Sequence, residues 1–207
     1  MIFRAALALG LALAAGGAGA TTLTFDQSAP NTPASDFAQL SQAYGDNVAS
    51  TSQGGFTYAI GAEGATPDVT LSYLSADIST WTTGYGDLTN IIFEDVDGTD
   101  LVLQLLAAPG WEVGLLSFDL SSYFQTDRTI ATVRVSPASG PDTVFTDVLV
   151  QGALDGTAHT TLGFGAGLFS TALTLTLDVS GLGGASDDIG LDNLTFMQRA
   201  VETAVPL

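Results

Sequence analysis

The sequence predicts an all-β protein, an antiparallel β-sandwich of jelly-roll type with about nine or ten strands and one short helix. Three observations carry this expectation. Apolar residues recur with a period of two through most of the chain, the spacing that puts one face of a strand on a core. Clusters of Gly, Pro, Asp and Ser separate these runs at short intervals. Charged residues make up only 13% of the chain against 46% hydrophobic, which is a globular composition rather than an acidic disordered one.

Taken in order, "GFTYAIG" places Phe56, Tyr58 and Ile60 on one face, and "DVTLSY" does the same with Val69, Leu71 and Tyr73. "DLVLQLLA" aligns Leu101, Leu103 and Leu105 after the turn "DVDGTD". "WEVGLLSFDL" begins in one phase (Trp111, Val113, Leu115) and ends in the other (Leu116, Phe118, Leu120), so a bulge or corner is expected inside it. "ATVRVS" (Ala131, Val133, Val135) and "TVFTDVLVQG" follow, separated by "SPASGPD". The clearest strand is "ALTLTLDVSG", with Leu173, Leu175, Leu177 and Val179 on one face and Thr174, Thr176 and Asp178 on the other. Only "SDFAQLSQAYG" reads as helix, with Ser35 as N-cap and Phe37, Leu40 and Tyr44 three and four apart.

Residues 1–20, "MIFRAALALGLALAAGGAGA", have the layout of a secretory signal peptide. One basic residue (Arg4) precedes a run of Ala and Leu, and Ala18-Gly19-Ala20 forms the cleavage signal, so cleavage is expected after Ala20. The apolar run is too short for a membrane span. Residues 21–198 then form one sandwich domain, and 199–207 are a tail in which the strand pattern has ended. No cysteine is present, which excludes thiol chemistry and Cys-ligated metals.

Acidic residues number 22 against 4 basic ones, all arginine, for a net charge of −18. Such a surface repels nucleic acid and anionic membranes and favours cations.

A series of motifs carries a resemblance. "YGDN" (44–47), "TPDVTLSY" (66–73), "TTGYGDLTN" (82–90), "GWEVGLLSFDL" (110–120) and "DDIGLDNLTFMQ" (187–198) together resemble the ectodomain of bacterial exported proteins with PEP-CTERM-type sorting segments. The closing "AVPL" resembles the start of the VPLPA variant of that segment. The resemblance implies a galactose-binding-like jelly roll on a Gram-negative cell, exported to the surface or the exopolysaccharide matrix. It also implies a sorting machinery as partner through the rest of the segment, which this sequence lacks. No catalytic residue follows from it.

One position raises a question of its own. Asp192 shares a phase with Leu194 and Phe196, so without a bulge it would turn a carboxylate toward the core. Ile189 and Leu191 have the opposite phase, which points to a bulge near Asp192-Asn193. A buried carboxylate needs donors or a cation. Resemblance to galactose-binding-like jelly rolls implies a structural Ca²⁺ where the last strand meets the first, at Asp26 and Asp192, and a turn-capping network is the alternative. "EDVDGTD" (Asp95, Asp97, Asp100) overlaps the start of a calcium loop, but its twelfth position is Leu106 rather than glutamate, so a plain acidic hairpin loop is the rival reading.

Trp81, Tyr85 and Asp87, in "ISTWTTGYGD", are candidates for stacking on a pyranose and holding its hydroxyls; the rival reading is a loop tucked over the end of the sandwich. For glycosidase or lyase chemistry with paired carboxylates, the one His (His159) and the lack of any Lys leave few bases, and no G-x-S-x-G occurs. The sequence therefore predicts a non-enzymatic, exported surface or matrix module, calcium-stabilised if the acidic positions hold the ion. A polysaccharide-binding module is the first alternative and a glycoside-active enzyme the second.

Overall fold

The computed structural model describes residues 19–62, 64–153 and 158–201. Residues 1–18 of the expected leader and 202–207 of the expected tail lie outside this range.

Strands β1 (Gly19–Leu23), β2 (Gln27–Ala29), β3 (Thr32–Pro33) and β4 (Ala38–Gln39) lead into two further short ones, β5 (Ser52–Gln53) and β6 (Phe56–Thr57). Then come β7 (Ala59–Ile60), β8 (Val69–Tyr73), β9 (Ile78–Trp81), β10 (Ile91–Glu94) and β11 (Leu101–Ala107). The long strands follow: β12 (Trp111–Ser122), β13 (Arg128–Pro137), β14 (Thr143–Val150), β15 (Thr160–Ser170), β16 (Ala172–Leu177) and β17 (Ile189–Ala200). A 3₁₀ helix occupies Ser180–Ala185. An eight-stranded sheet runs β15-β12-β17-β10-β9-β4, with β1 against β17 and β7 against β1. A five-stranded sheet runs β14-β13-β16-β11-β8. The pairings within both are antiparallel.

The sheets bury their facing sides in one core. Leu173, Leu175, Leu177 and Val179 all point into it, as their alternation predicts, opposite Val113, Leu115, Phe118, Leu194 and Phe196. In β13 the alternation misleads by one residue: Ala131 is exposed and Ile130 is buried. The phase change in β12 is a register shift between Leu115 and Ser117. Among the described residues no helix is long and apolar enough to cross a membrane.

Two boundaries differ from those expected. β1 begins at Gly19, so Gly19↔Gln198 and Ala20↔Met197 pair ahead of the predicted cleavage point. β17 continues to Ala200, paired with Trp111, and Arg199 binds Glu112 at 2.7 Å from its Nη2.

The helix expected over 35–45 is absent. The segment makes turns around β4, which pairs with β9. Phe37, Gly45 and Asn47 all take positive φ, and Asp36 accepts from the Thr82 N–H (2.9 Å) and hydroxyl (2.6 Å). Burial of Leu40 and Tyr44 in the core and edge pairing to β9 outweigh a helical propensity summed over so few residues.

The Asp192 question has a geometric answer. β17 carries an extra residue between the pairs Asp119↔Asp192 and Ser117↔Thr195. Asn193 sits there with φ 51°, donating its amide to Asp192 Oδ1 (2.7 Å) and its side chain to Asp119 Oδ2 (2.9 Å). The bulge resets the phase, so Leu191, Leu194 and Phe196 all face the core while Asp192 joins Asp119 on the outer face. A β-branched residue tolerates that φ poorly. Asn193→Val is expected to destabilise the protein by about 2–3 kcal/mol, strain plus a lost hydrogen bond, and Asn193→Gly by clearly less. Urea midpoints of the two variants check this; equal losses would remove the bulge argument.

Candidate functional site: an aromatic cleft on the outer sheet face

β10 is buried on both faces. Ile92 enters the main core, whereas Ile91 and Phe93 face outward and are covered by Tyr85 and Leu88 of the 82–90 loop, with Trp81 and Tyr123 at the margin. Gly190 makes this cover fit, because a Cβ there would lie 2.7 Å from Ile91 and 2.8 Å from Tyr85.

Phe37, Trp81, Tyr85, Phe93, Tyr123, Asp187 and Asp188 enclose a cleft of about 220 Å³ beside this cover. Trp81 ends β9, and its ring meets Phe37 at 4.7 Å, Tyr123 at 5.4 Å and Phe93 at 6.2 Å between centroids. Tyr123 follows β12 and is pinned by its N–H to the Asp188 carbonyl (2.8 Å). Tyr85 donates its hydroxyl to the Asp187 carbonyl at 2.6 Å. Burial raises the Tyr85 phenol far above its ordinary range, so it stays a donor.

Two phenylalanines flank the cleft in strained positions. Phe37 (φ 60°) is 59% exposed and Phe124 (φ 52°) is 70% exposed. Positive φ is rare for bulky side chains, costs about 1–3 kcal/mol and concentrates at functional sites. Here it holds two apolar rings toward water: Phe37 lines the cleft, and Phe124 packs on the lining residue Tyr123 at 5.7 Å.

The acids differ in their commitments. Asp188 pairs with Arg128, which also donates to Ser122 Oγ (2.9 Å) and the Tyr123 carbonyl (3.2 Å). Burial still raises the Asp188 carboxyl despite Arg128. Asp187 is raised by burial and then by the charge of Asp97. Among the described residues no other residue donates to the Asp187 carboxylate.

Of the predicted sugar-binding residues, Trp81 and Tyr85 meet in this cleft and Asp87 does not. Asp87 Oδ1 accepts from His159 Nδ1 at 2.9 Å, and His159 Nε2 lies 3.9 Å from Asp119. Phe37, Phe93, Tyr123, Asp187 and Asp188 were not singled out in the sequence. The spacing of Phe37 predicts a helix instead, the adjacent aromatics of "SSYFQTD" and the acid pair of "SDDIG" are the signals for Tyr123, Asp187 and Asp188, and nothing local marks Phe93.

The acidic positions read as calcium ligands form two separate groups. Asp192 is 4% exposed, and burial, with Asp26 and Asp119 nearby, raises its carboxyl to about 8. Asp26 already accepts from Thr24 Oγ1 and Asn90 Nδ2, both at 2.7 Å. Asp95, Asp97 and Asp100 lie on the 95–100 loop, where Asp100 accepts from the Ser180 N–H at 3.2 Å and Gly98 donates to Ser186 Oγ at 2.8 Å. Burial and then Asp77 and Asp187 raise Asp95. Among the described residues no three acidic or His side chains form a group that could hold a metal ion. The Asp26, Asp100 and Asp192 carboxylates accept hydrogen bonds, whereas among the described residues none reaches the carboxylate of Asp95 or Asp97.

No family model matches the chain, and no curated protein does. Among solved structures it is similar to the family 32 carbohydrate-binding module from C. perfringens NanJ in complex with galactose. The similarity has a TM-score of 0.34 at 10% identity, over 64% of this chain and 94% of that one. Galactose is that module's ligand; the cleft described above is defined by this chain's own residues.

Proposed function

We propose that this protein is a non-catalytic β-sandwich module, exported to the cell surface or extracellular matrix, that binds carbohydrate in the Trp81 cleft. The observation that carries the reading is the pair of exposed, backbone-strained phenylalanines beside a cleft built from Trp81, Tyr85 and Tyr123. Its volume suits one sugar ring rather than a drug-sized ligand. Aromatic faces supply apolar contact, and the carboxylates at its edge accept from hydroxyls. The export part of the reading rests on the leader-like residues 1–20.

The same cleft argues against glycoside chemistry. Its two carboxylates come from consecutive residues, and Asp188 is bound to Arg128, so they are poorly disposed to act from opposite sides of a glycosidic bond.

Phe37→Gly tests the reading. Glycine relieves the positive φ and removes a wall of the cleft. Retention in affinity gels containing neutral or amino-sugar polysaccharides is expected to fall about tenfold, while the melting temperature holds or rises. Trp81→Ala should abolish retention. Unchanged retention in both variants overturns the carbohydrate reading.

A further inference from the structure

We propose that the group seated in the Trp81 cleft is an ammonium, so that the carbohydrate recognised is an amino sugar carrying a free amine. This rests on the carbohydrate reading and narrows its ligand class.

Three observations point to a cation. The rings do not form a flat platform for stacking a pyranose. Trp81 stands at 83° to Phe37, 77° to Phe93 and 72° to Tyr123, and all four rings line the same small cleft. Such boxes suit a compact positive group, which is attracted to the electron-rich ring faces. Beside the box, the Asp187 carboxylate has no donor from another described residue, whereas Asp188 is already neutralised by Arg128. Arg128 also acts on Asp187 through space, but among the described residues no hydrogen-bond donor from another residue reaches the Asp187 carboxylate. The surroundings are negative as well: Asp97 acts on Asp187, and the chain as a whole carries −18. That field concentrates cations and repels uronates and sulfated sugars.

At about 220 Å³ the cleft has room for one sugar ring. An N-acetyl group would remove the charge and leave Asp187 facing an amide.

Calorimetric titration of the protein separates the alternatives. The probes are the glucosamine disaccharide with free amines, its di-N-acetylated form, and tetramethylammonium chloride, all at pH 6 and near-physiological salt. Tighter binding of the free-amine disaccharide, by about tenfold or more, supports the proposal when the preference is lost in Asp187→Asn. Asp147→Asn removes the same charge from the exposed edge of the other sheet and should leave the preference intact. If Asp147→Asn abolishes the preference as well, general charge attraction explains it and the proposal falls. Equal binding of both disaccharides overturns the ammonium inference while leaving the carbohydrate reading standing. Binding of tetramethylammonium without either sugar supports the ammonium site and overturns the carbohydrate reading. No binding of any probe overturns both.

Discussion

Asp192→Asn is expected to raise the melting temperature at pH 8 by roughly 10 °C. The argument begins with the bulge at Asn193, which puts Asp192 on the outer face directly across from Asp119 and near Asp26. Burial, first, and those two like charges after it push the carboxyl to about 8, against about 3.9 in an unfolded chain. The folded protein thus keeps a proton that the unfolded chain releases near pH 4. The sign follows from linkage. The group's contribution to stability is full below about pH 4, declines as pH rises, and is lost by about pH 8. The shift corresponds to about 3–5 kcal/mol over that window. Asparagine has nearly the same shape, keeps the Oδ1 acceptor for the Asn193 N–H, and never ionises. Its stability curve should be flat where the parent's falls, and a few kcal/mol moves the melting temperature of a domain this size by several degrees or more.

Thermal melts at pH 4, 6 and 8, each with calcium and with chelator, decide the matter. A variant gain that grows with pH and ignores calcium supports the neutral, hydrogen-bonded acid. If Asp192 were a calcium ligand, the parent would instead melt higher in calcium, and Asn would cancel that rise.

Gly86→Ala is expected to be the most damaging single methyl in the protein. Gly86 lies between Tyr85 and Asp87 with φ 54°, a conformation costly for alanine. A Cβ there would sit 1.9 Å from the Ala158 carbonyl oxygen and 2.5 Å from Ser121 Oγ. The first obstacle is backbone, so no rotamer change removes it. The Ser121 hydroxyl donates to both the Ala158 and Gln151 carbonyls at 2.9 Å, and shifting the 158 segment would break that link. We expect a loss of about 3–5 kcal/mol, from strain, overlap and a broken buried hydrogen bond together. Chemical denaturation measures it, and the Tyr85 displacement should also weaken any ligand seated in the Trp81 cleft. A cost under about 1 kcal/mol would mean that the 82–90 loop is not held against residue 158 as described.

Most of the fold was legible because strands report themselves through alternation. The runs at 69–73, 101–107 and 173–179 bury the residues their pattern selects, and the phase changes inside β12 and near Asn193 correspond to real shifts of register. Legibility failed where local pattern and tertiary contact disagreed. Residues 35–45 space Phe37, Leu40 and Tyr44 as a helix would, yet Leu40 and Tyr44 are buried by separate turns while Phe37 projects into solvent.

The cleft was half legible. Trp81 and Tyr85 stand four residues apart in a polar, glycine-containing loop, so their proximity could be inferred. Phe37, Phe93, Tyr123 and Asp187 come from four distant parts of the chain, and the pairings of β4 with β9, β9 with β10, β10 with β17 and β12 with β17 bring them to one place.

By itself, then, the sequence determined an all-β sandwich, its main core faces, its strongly negative surface and the absence of thiol chemistry, since these depend on composition and on neighbours one or two residues apart. Tertiary structure alone decided which way Asp192 turns, that Asp87 lies against His159 outside the Trp81 cleft, and that aromatic rings from separate strands and loops line one cleft. Those outcomes depend on register and on long-range packing, which a one-residue bulge can invert without changing any local pattern.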